Sequence, residues 1–200
     1  EIIISYGGDG TLLISERLFP KIPKILIKDS EICNNCSDSD VTSIISNYLK
    51  GKYWIEKIKK LKVQREDKFL LGVNDIVLRN DLPTEAVRFN LWVDNKLRGE
   101  YIGDGVVIAT PYGSKAYFKS ISHKIFKMGI GICFNNPTKH SKPIFLKENA
   151  IIKIKIKRGP GIIVADNNRD FIRLKENETI TIKQINEVAN IIRIKKGIFR

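Results

Sequence analysis

A β-branched run, Glu1-Ile2-Ile3-Ile4-Ser5-Tyr6, stops at Gly7-Gly8-Asp9-Gly10-Thr11, and an apolar-periodic stretch over residues 12–19 begins directly after it. A short run of this kind suits a parallel strand buried on both faces. Glycines break it, and Pro20 and Pro23 end the helix that follows. Strand, Gly-rich turn and helix in that order commit the start of the chain to an α/β arrangement. A second short strand is expected over residues 24–27. Helical periodicity recurs over residues 41–50 and 52–60, on either side of Gly51. The first residue is Glu1, not Met, and it stands inside what reads as a buried strand, so a preceding segment is expected and the first domain reads as truncated.

From about Val63 the pattern changes to short strands and turn signals. Residues 86–93 and 97–102 flank Asp94-Asn95-Lys96 and read as a hairpin. Further strands are expected over residues 106–109, 151–157, 171–174, 179–182 and 191–194, and a turn leading into a helix over residues 112–127. In Ile152-Lys153-Ile154-Lys155-Ile156-Lys157 strict alternation sends Ile to one sheet face and Lys to the other. The expected architecture is therefore an α/β domain over residues 1–63 and a β-rich, sandwich-like domain over residues 64–200. The last strand is a candidate to return to the first domain.

The formal net charge is +13. Such a charge attracts polyanions, but the Ile/Lys alternation assigns most of it to solvent-facing strand positions, and no nucleic-acid reading motif is present. No apolar run is long enough to span a bilayer and nothing resembles a signal peptide, so a cytoplasmic protein with no membrane partner is expected. Cys33 and Cys36 form a C-x-x-C, and Cys133 stands apart. One C-x-x-C is half a zinc site, and only Cys133, His123 and His140 are at hand to complete it. No metal ligand set is assigned, and redox pairing of the two cysteines has equally little support in sequence.

Three segments carry chemistry. In the first, Gly7, Gly8, Gly10 and Thr11 form a turn whose glycines let backbone approach a phosphate, with a helix N-terminus behind it. A carboxylate among phosphates is repelled unless a cation bridges it or it acts on a hydroxyl. Asp9 therefore suits either Mg²⁺ chemistry or removal of a proton from an attacking alcohol. No Walker A pattern occurs. The second is Asp104-Gly105-Val106-Val107-Ile108-Ala109-Thr110-Pro111-Tyr112-Gly113-Ser114-Lys115-Ala116-Tyr117: a strand with a carboxylate at its start, suited to ribose hydroxyls, and an aromatic ring beyond its turn, suited to stacking. The third is Asn74-Asp75, before the apolar Ile76-Val77-Leu78.

In this order the segments resemble the NAD kinase family over residues 1 to about 185. The Gly-Gly-Asp-Gly-Thr turn also resembles lipid kinases of the diacylglycerol and sphingosine type. The longer Asp104 to Tyr117 stretch is the more specific of the two. The resemblance implies transfer of a phosphoryl group from ATP or polyphosphate to the 2′-hydroxyl of the adenosine ribose of NAD, with a divalent cation, Mg²⁺ first among them. It implies Asp9 as proton acceptor and Gly10 beside the NAD phosphates. It places Asn74 and Asp75 at the adenosine ribose, Asp104 on the nicotinamide side, and Lys115, Ala116, Tyr117 and Ser120 in contact with NAD. It also implies a dimer or tetramer. Departures from the family pattern are Asp75 where Glu is usual, Lys115 where a small hydroxyl is usual, and residues 28–40 with their C-x-x-C in place of a Gly-Phe-Leu segment. They keep open a catalytically weak NAD-binding relative, beside a lipid or other alcohol kinase.

Overall fold

The computed structural model describes residues 1–29, 33, 36 and 40–194. Along the chain it runs β1 (Ile3–Gly7), α1 (Asp9–Leu18), β2 (Lys24–Lys28), α2 (Val41–Leu49), β3 (Tyr53–Arg65), β4 (Lys68–Gly72), β5 (Asp75–Asn80), β6 (Val87–Val93), β7 (Lys96–Gly103) and β8 (Gly105–Ala109). A 3-10 turn (Gly113–Lys115) then leads to α3 (Tyr117–Ser122), β9 (Ile130–Asn135), β10 (Ile144–Leu146), β11 (Ile152–Arg158), β12 (Gly161–Ala165), β13 (Phe171–Leu174) and β14 (Thr179–Ile194). Among the described residues two compact units result: residues 1–58 with 188–194, and residues 59–187. The expected polar segment over residues 28–40 lies outside the described residues except for Lys28, Asp29, Cys33, Cys36 and Asp40.

In the first unit β1 pairs with β2 in parallel, Ile3 opposite Lys24 through Gly7 opposite Lys28. The end of β14 joins β2 in parallel at Ile191 and Ile192, so the closing part of the chain's last described strand, from Val188, belongs to this unit. Ile25, Ile27, Ile44 and Ile192 form its core, with Tyr48 and Tyr53 packed on it. β1 is not buried on both faces as its composition suggests: Ile4 and Tyr6 are exposed, and Ser5 is its one fully buried residue. Lys24 is wholly buried, paired with Glu16 and donating to the Phe19 carbonyl oxygen, which ties β2 to α1. Asp40 caps α2 by accepting from the Ser43 amide at 2.9 Å.

The helix expected over residues 52–60 is instead the first half of the 13-residue strand β3. Apolar spacing in Tyr53-Trp54-Ile55-Glu56-Lys57-Ile58 fits both periods, but the strand these residues open pairs with β14 and, from Leu61 opposite Gly72 to Arg65 opposite Lys68, with β4. Long-range pairing overrides a short ambiguous pattern.

The second unit is a two-layer sandwich. One layer pairs β7, β6, β11 and the start of β14; the other follows the order β10-β9-β8-β5-β12-β13. Alternate residues of both layers, among them Leu78, Phe89, Ile108, Ile154 and Ile180, meet in one buried cluster. The alternation in β11 behaves as expected, with Ile152, Ile154 and Ile156 fully buried and the lysines outward. Asp94 and Asn95 make the hairpin turn with positive φ of 51° and 62°, the primed geometry that matches strand twist. β5, β8 and β9 are buried on both faces because α3 covers the side away from the sandwich, packing Phe118 against Val77, Val107, Ala109 and Cys133. The strands expected at residues 179–182 and 191–194 are the two ends of one 16-residue strand.

Candidate functional site

The Gly-rich turn joins β1 to α1. Gly7 has φ +146°, and a Cβ there would stand 2.4 Å from Thr11 Oγ1, so any other residue would strain the backbone and press on the Thr11 side chain. Gly8 is the N-cap, and Asp9 opens the helix. The first-turn N–H groups of α1 and its positive dipole end are thus presented beside a half-buried carboxylate. Two sulfurs border this loop: Cys33 Sγ lies 3.5 Å from Asp9 Oδ1, and Cys36 Sγ lies 3.8 Å from the Gly7 carbonyl oxygen. Cys33 and Cys36 are bonded to each other as a disulfide.

In the second unit the sheet itself brings two of the sequence motifs together. β5 and β8 are antiparallel neighbours with Asp75 opposite Ala109, so the turn before β5 and the turn after β8 lie side by side. The Thr110 amide donates to the Asn74 carbonyl oxygen at 2.9 Å. The Thr110 hydroxyl donates to the Val73 carbonyl oxygen at 2.7 Å and accepts from the Gly113 amide at 3.0 Å. Gly113 lies so close that a Cβ would stand 2.1 Å from the Asn74 carbonyl oxygen. The Ser114 hydroxyl donates to the Pro111 carbonyl oxygen at 2.7 Å, closing the turn on itself.

Asp166, at the end of β12, accepts from three successive amides: Val73 at 2.7 Å, Asn74 at 2.8 Å and Asp75 at 3.1 Å. This residue was not singled out by sequence. Its only local signal is the polar Asp166-Asn167-Asn168 after an apolar strand, which reads as an ordinary turn. Its role becomes visible only with the β12–β5 register, which sets Ala165 opposite Ile76.

Burial raises the Asp75 carboxyl to about 7, assisted by the negative charge of Asp166. Burial also raises Asp166, to about 6, while its amide hydrogen bonds and Lys60 pull the other way. The two carboxyls differ in their surroundings. Three N–H donors favour the charged form of Asp166 against its burial, whereas burial dominates at Asp75 and brings its carboxyl near neutrality. Beside it, Asn74 is buried and its side-chain oxygen Oδ1 has no hydrogen-bond partner among the described residues. An orphaned buried acceptor next to a poised carboxyl is the signature of a site that a donor from outside completes.

Asp104 stands elsewhere. It precedes β8, where its carbonyl oxygen accepts from the Asn80 amide, at the far end of β5 from Asp75. The five residues of β8 put it roughly 17 Å along the strand from Ala109, at ~3.3 Å per residue. The Asn136 side-chain amide reaches its carboxylate at 3.4 Å. Lys115 and Ser120 are exposed, and Ala116 links the 3-10 turn to α3. Tyr117 is half-buried against the Val77–Val107–Phe118 cluster, so packing holds one side of its ring.

The described residues contain no group of three or more His, Cys, Asp and Glu side chains placed to hold a metal ion. A Mg²⁺ ion that arrives with nucleotide needs only one or two protein carboxylates, since phosphate oxygens and water supply the rest; the half-buried Asp9 beside the α1 N-terminus fits that demand. No helix among the described residues is long and apolar enough to cross a membrane.

Known proteins resemble this chain in sequence and in fold. The family described as the ATP-NAD kinase C-terminal domain matches residues 73–194. The NAD kinase of Thermoanaerobacter sp. (strain X514) is 28% identical over 213 residues, covering 100% of this chain and 75% of that protein. Among solved structures, yeast NADH kinase complexed with NADH superposes with a TM-score of 0.84 at 20% identity, covering 98% of this chain and 62% of that one. An NAD kinase from Archaeoglobus fulgidus in complex with ATP gives a TM-score of 0.81 at 21% identity, covering 98% and 78%.

Proposed function

The chain belongs to the NAD kinase family, and on that premise we propose that it transfers the γ-phosphoryl group of ATP to the 2′-hydroxyl of the adenosine ribose of NAD, giving NADP and ADP. The observation that carries the reading is the Asn74–Asp75 turn, where a buried amide oxygen without a partner adjoins a carboxyl poised near neutrality. Ribose hydroxyls are both donors and acceptors. They satisfy Asn74 Oδ1 as donors, and they bond to Asp75 in either protonation state. Yeast NADH kinase and the A. fulgidus NAD kinase, solved with NADH and with ATP, support the choice of ligands.

The chain's residues divide the work. Gly7, Gly8, Gly10 and Thr11 hold phosphate oxygens with backbone N–H groups at the α1 N-terminus. Asp9 accepts the proton of the 2′-hydroxyl as that oxygen attacks, and the electrostatic positioning of the phosphates supplies most of the rest. Mg²⁺ bound with ATP, with Asp9 as its protein ligand or neighbour, would neutralise phosphoryl charge. Asn74 and Asp75 orient the adenosine ribose, and Thr110 and Gly113 fix that turn from below. Lys115, Ala116, Tyr117 and Ser120 flank the same turn and line the nucleotide. Asp104, a strand's length away, serves the nicotinamide end. A homo-oligomer, dimer or tetramer, is part of this reading.

The test is incubation of purified protein with NAD, ATP and Mg²⁺, with NADP detected through an NADP-specific dehydrogenase. NADP formation is expected, and polyphosphate as the alternative donor identifies the preferred source. Absence of NADP with either donor rejects the reading. Phosphorylation of a diacylglycerol or sphingoid base instead would assign the loop to the other kinases that share it.

A further inference from the structure

We propose that Cys33 and Cys36 form a thiol–disulfide exchange site that sets the state of the Gly7 to Thr11 loop, its co-reactant a dithiol reductant in one direction and a disulfide oxidant in the other. The pair is disulfide-bonded, with its Cα atoms 5.5 Å apart. Both sulfurs touch the loop, one at Asp9 Oδ1 (3.5 Å) and one at the Gly7 carbonyl oxygen (3.8 Å). A disulfide sulfur carries no proton, so neither contact is a hydrogen bond. Cys33 Sγ therefore covers one side of the Asp9 carboxylate and returns nothing for the solvent it displaces.

The bond is reachable. Both cysteines are half-buried, and Cys36 lines an open cavity of about 160 Å³ with Ile25, Ile44, Trp54 and Ile192. The third cysteine takes no part, since Cys133 is buried in β9 and burial raises its thiol to about 12. A zinc role for the pair has no further ligands among the described residues.

The exchange step balances. A thiolate of the external dithiol attacks one sulfur of the pair, the Cys33–Cys36 bond breaks, and the other sulfur leaves as thiolate. The second external thiol then displaces the mixed disulfide. Two electrons and two protons pass to the protein, and the external dithiol departs as its own disulfide. In the product the 5.5 Å tether between the two Cα atoms is gone, and the Cys33 thiol is able to donate to Asp9 or to swing away from it. Either change alters access to the carboxylate. This inference rests on Asp9 as the proton acceptor of the proposed reaction, and it predicts a faster reduced form.

The experiment compares protein reduced with dithiothreitol and protein oxidised with its cyclic disulfide, each state verified by alkylation and mass spectrometry. Backbone hydrogen exchange of the peptide covering the loop and kcat for NADP formation are both read. Faster exchange of that peptide and a kcat at least fivefold higher are expected in the reduced sample, with KM for NAD changed less than twofold. The Cys33→Ser/Cys36→Ser variant should show neither response. Unchanged loop exchange, kcat values within twofold, or a double variant that still responds overturns the proposal. Changed loop exchange with no NADP in either state upholds the exchange site and rejects the kinase reading instead.

Discussion

Asp166 Oδ1 accepts the backbone amide of Asn74 at 2.8 Å, and with Val73 and Asp75 the same carboxylate holds three consecutive N–H groups of one turn. The turn that carries the candidate ribose contacts is thus shaped by a residue 92 positions later in the chain. Replacing Asp166 with Asn keeps the volume but removes the charge and turns an NH₂ toward amide donors. Each amide left unbonded in a buried position costs about 1–3 kcal/mol. Asp166→Asn should therefore lower unfolding free energy by about 2–4 kcal/mol in urea titration and raise KM for NAD at least tenfold, with a smaller change in KM for ATP. Equal increases in both would show general unfolding rather than loss of turn geometry.

The acidic pair also fixes the sign of a pH effect. Asp75 and Asp166 are raised from 3.8 to about 7 and about 6, so the folded chain binds their protons more tightly than the unfolded chain does. Their contribution to stability is full below about pH 4 and is lost as pH rises through about 7. Asp75→Asn cannot ionise. It should gain melting temperature relative to the parent at pH 8 and gain least at pH 5, with the crossover read by thermal unfolding in a buffer series. Parallel melting curves across that range would contradict the raised carboxyl.

Gly113 lies against the Asn74 backbone where a Cβ would stand 2.1 Å from a carbonyl oxygen. Gly113→Ala must push the two turns apart. It should fold, because the clash is at the edge of the sandwich core, yet lose at least tenfold in NAD affinity by calorimetry. Unaltered affinity would show that the Thr110 to Gly113 turn does not define the nucleotide site.

Lys24 is completely buried with Glu16 as its partner. Removing the ammonium in Lys24→Met leaves the Glu16 carboxylate buried beside an apolar group, at a cost of about 3–5 kcal/mol. Adding Glu16→Leu should restore most of that loss, since an apolar pair of similar volume suits the site. A double variant as unstable as Lys24→Met would mean that Glu16 depends little on Lys24.

What sequence revealed and what it concealed follow from range. The strand–glycine–helix start and the Asp104 to Tyr117 stretch are local patterns, and their elements form where they read, although β1 is exposed on one face and the helix expected within residues 112–127 is only Tyr117–Ser122. The alternating Ile152 to Lys157 segment declares its own buried face. The segment at residues 52–60 misleads because its apolar spacing fits two periods and the strand it opens pairs with β4 and β14, both later in the chain. The middle of β14, including Gln184 and Asn186, is polar and reads as a loop, although it continues one strand. Asp166 is hidden for a related reason. A carboxylate after a strand is ordinary until the register shows which amides it meets. The Cys33–Cys36 pair was legible as a motif, but its contact with Asp9 was not.

The most direct test is the steady-state rate of NADP formation by Asp9→Asn beside the parent protein, with saturating ATP, Mg²⁺ and NAD. The account predicts NADP from the parent, and a variant that still binds NAD while its kcat falls by about 10²–10⁴-fold, the usual share of a positioned base. A variant as fast as the parent would contradict the role of Asp9, and a parent that makes no NADP would contradict the account as a whole.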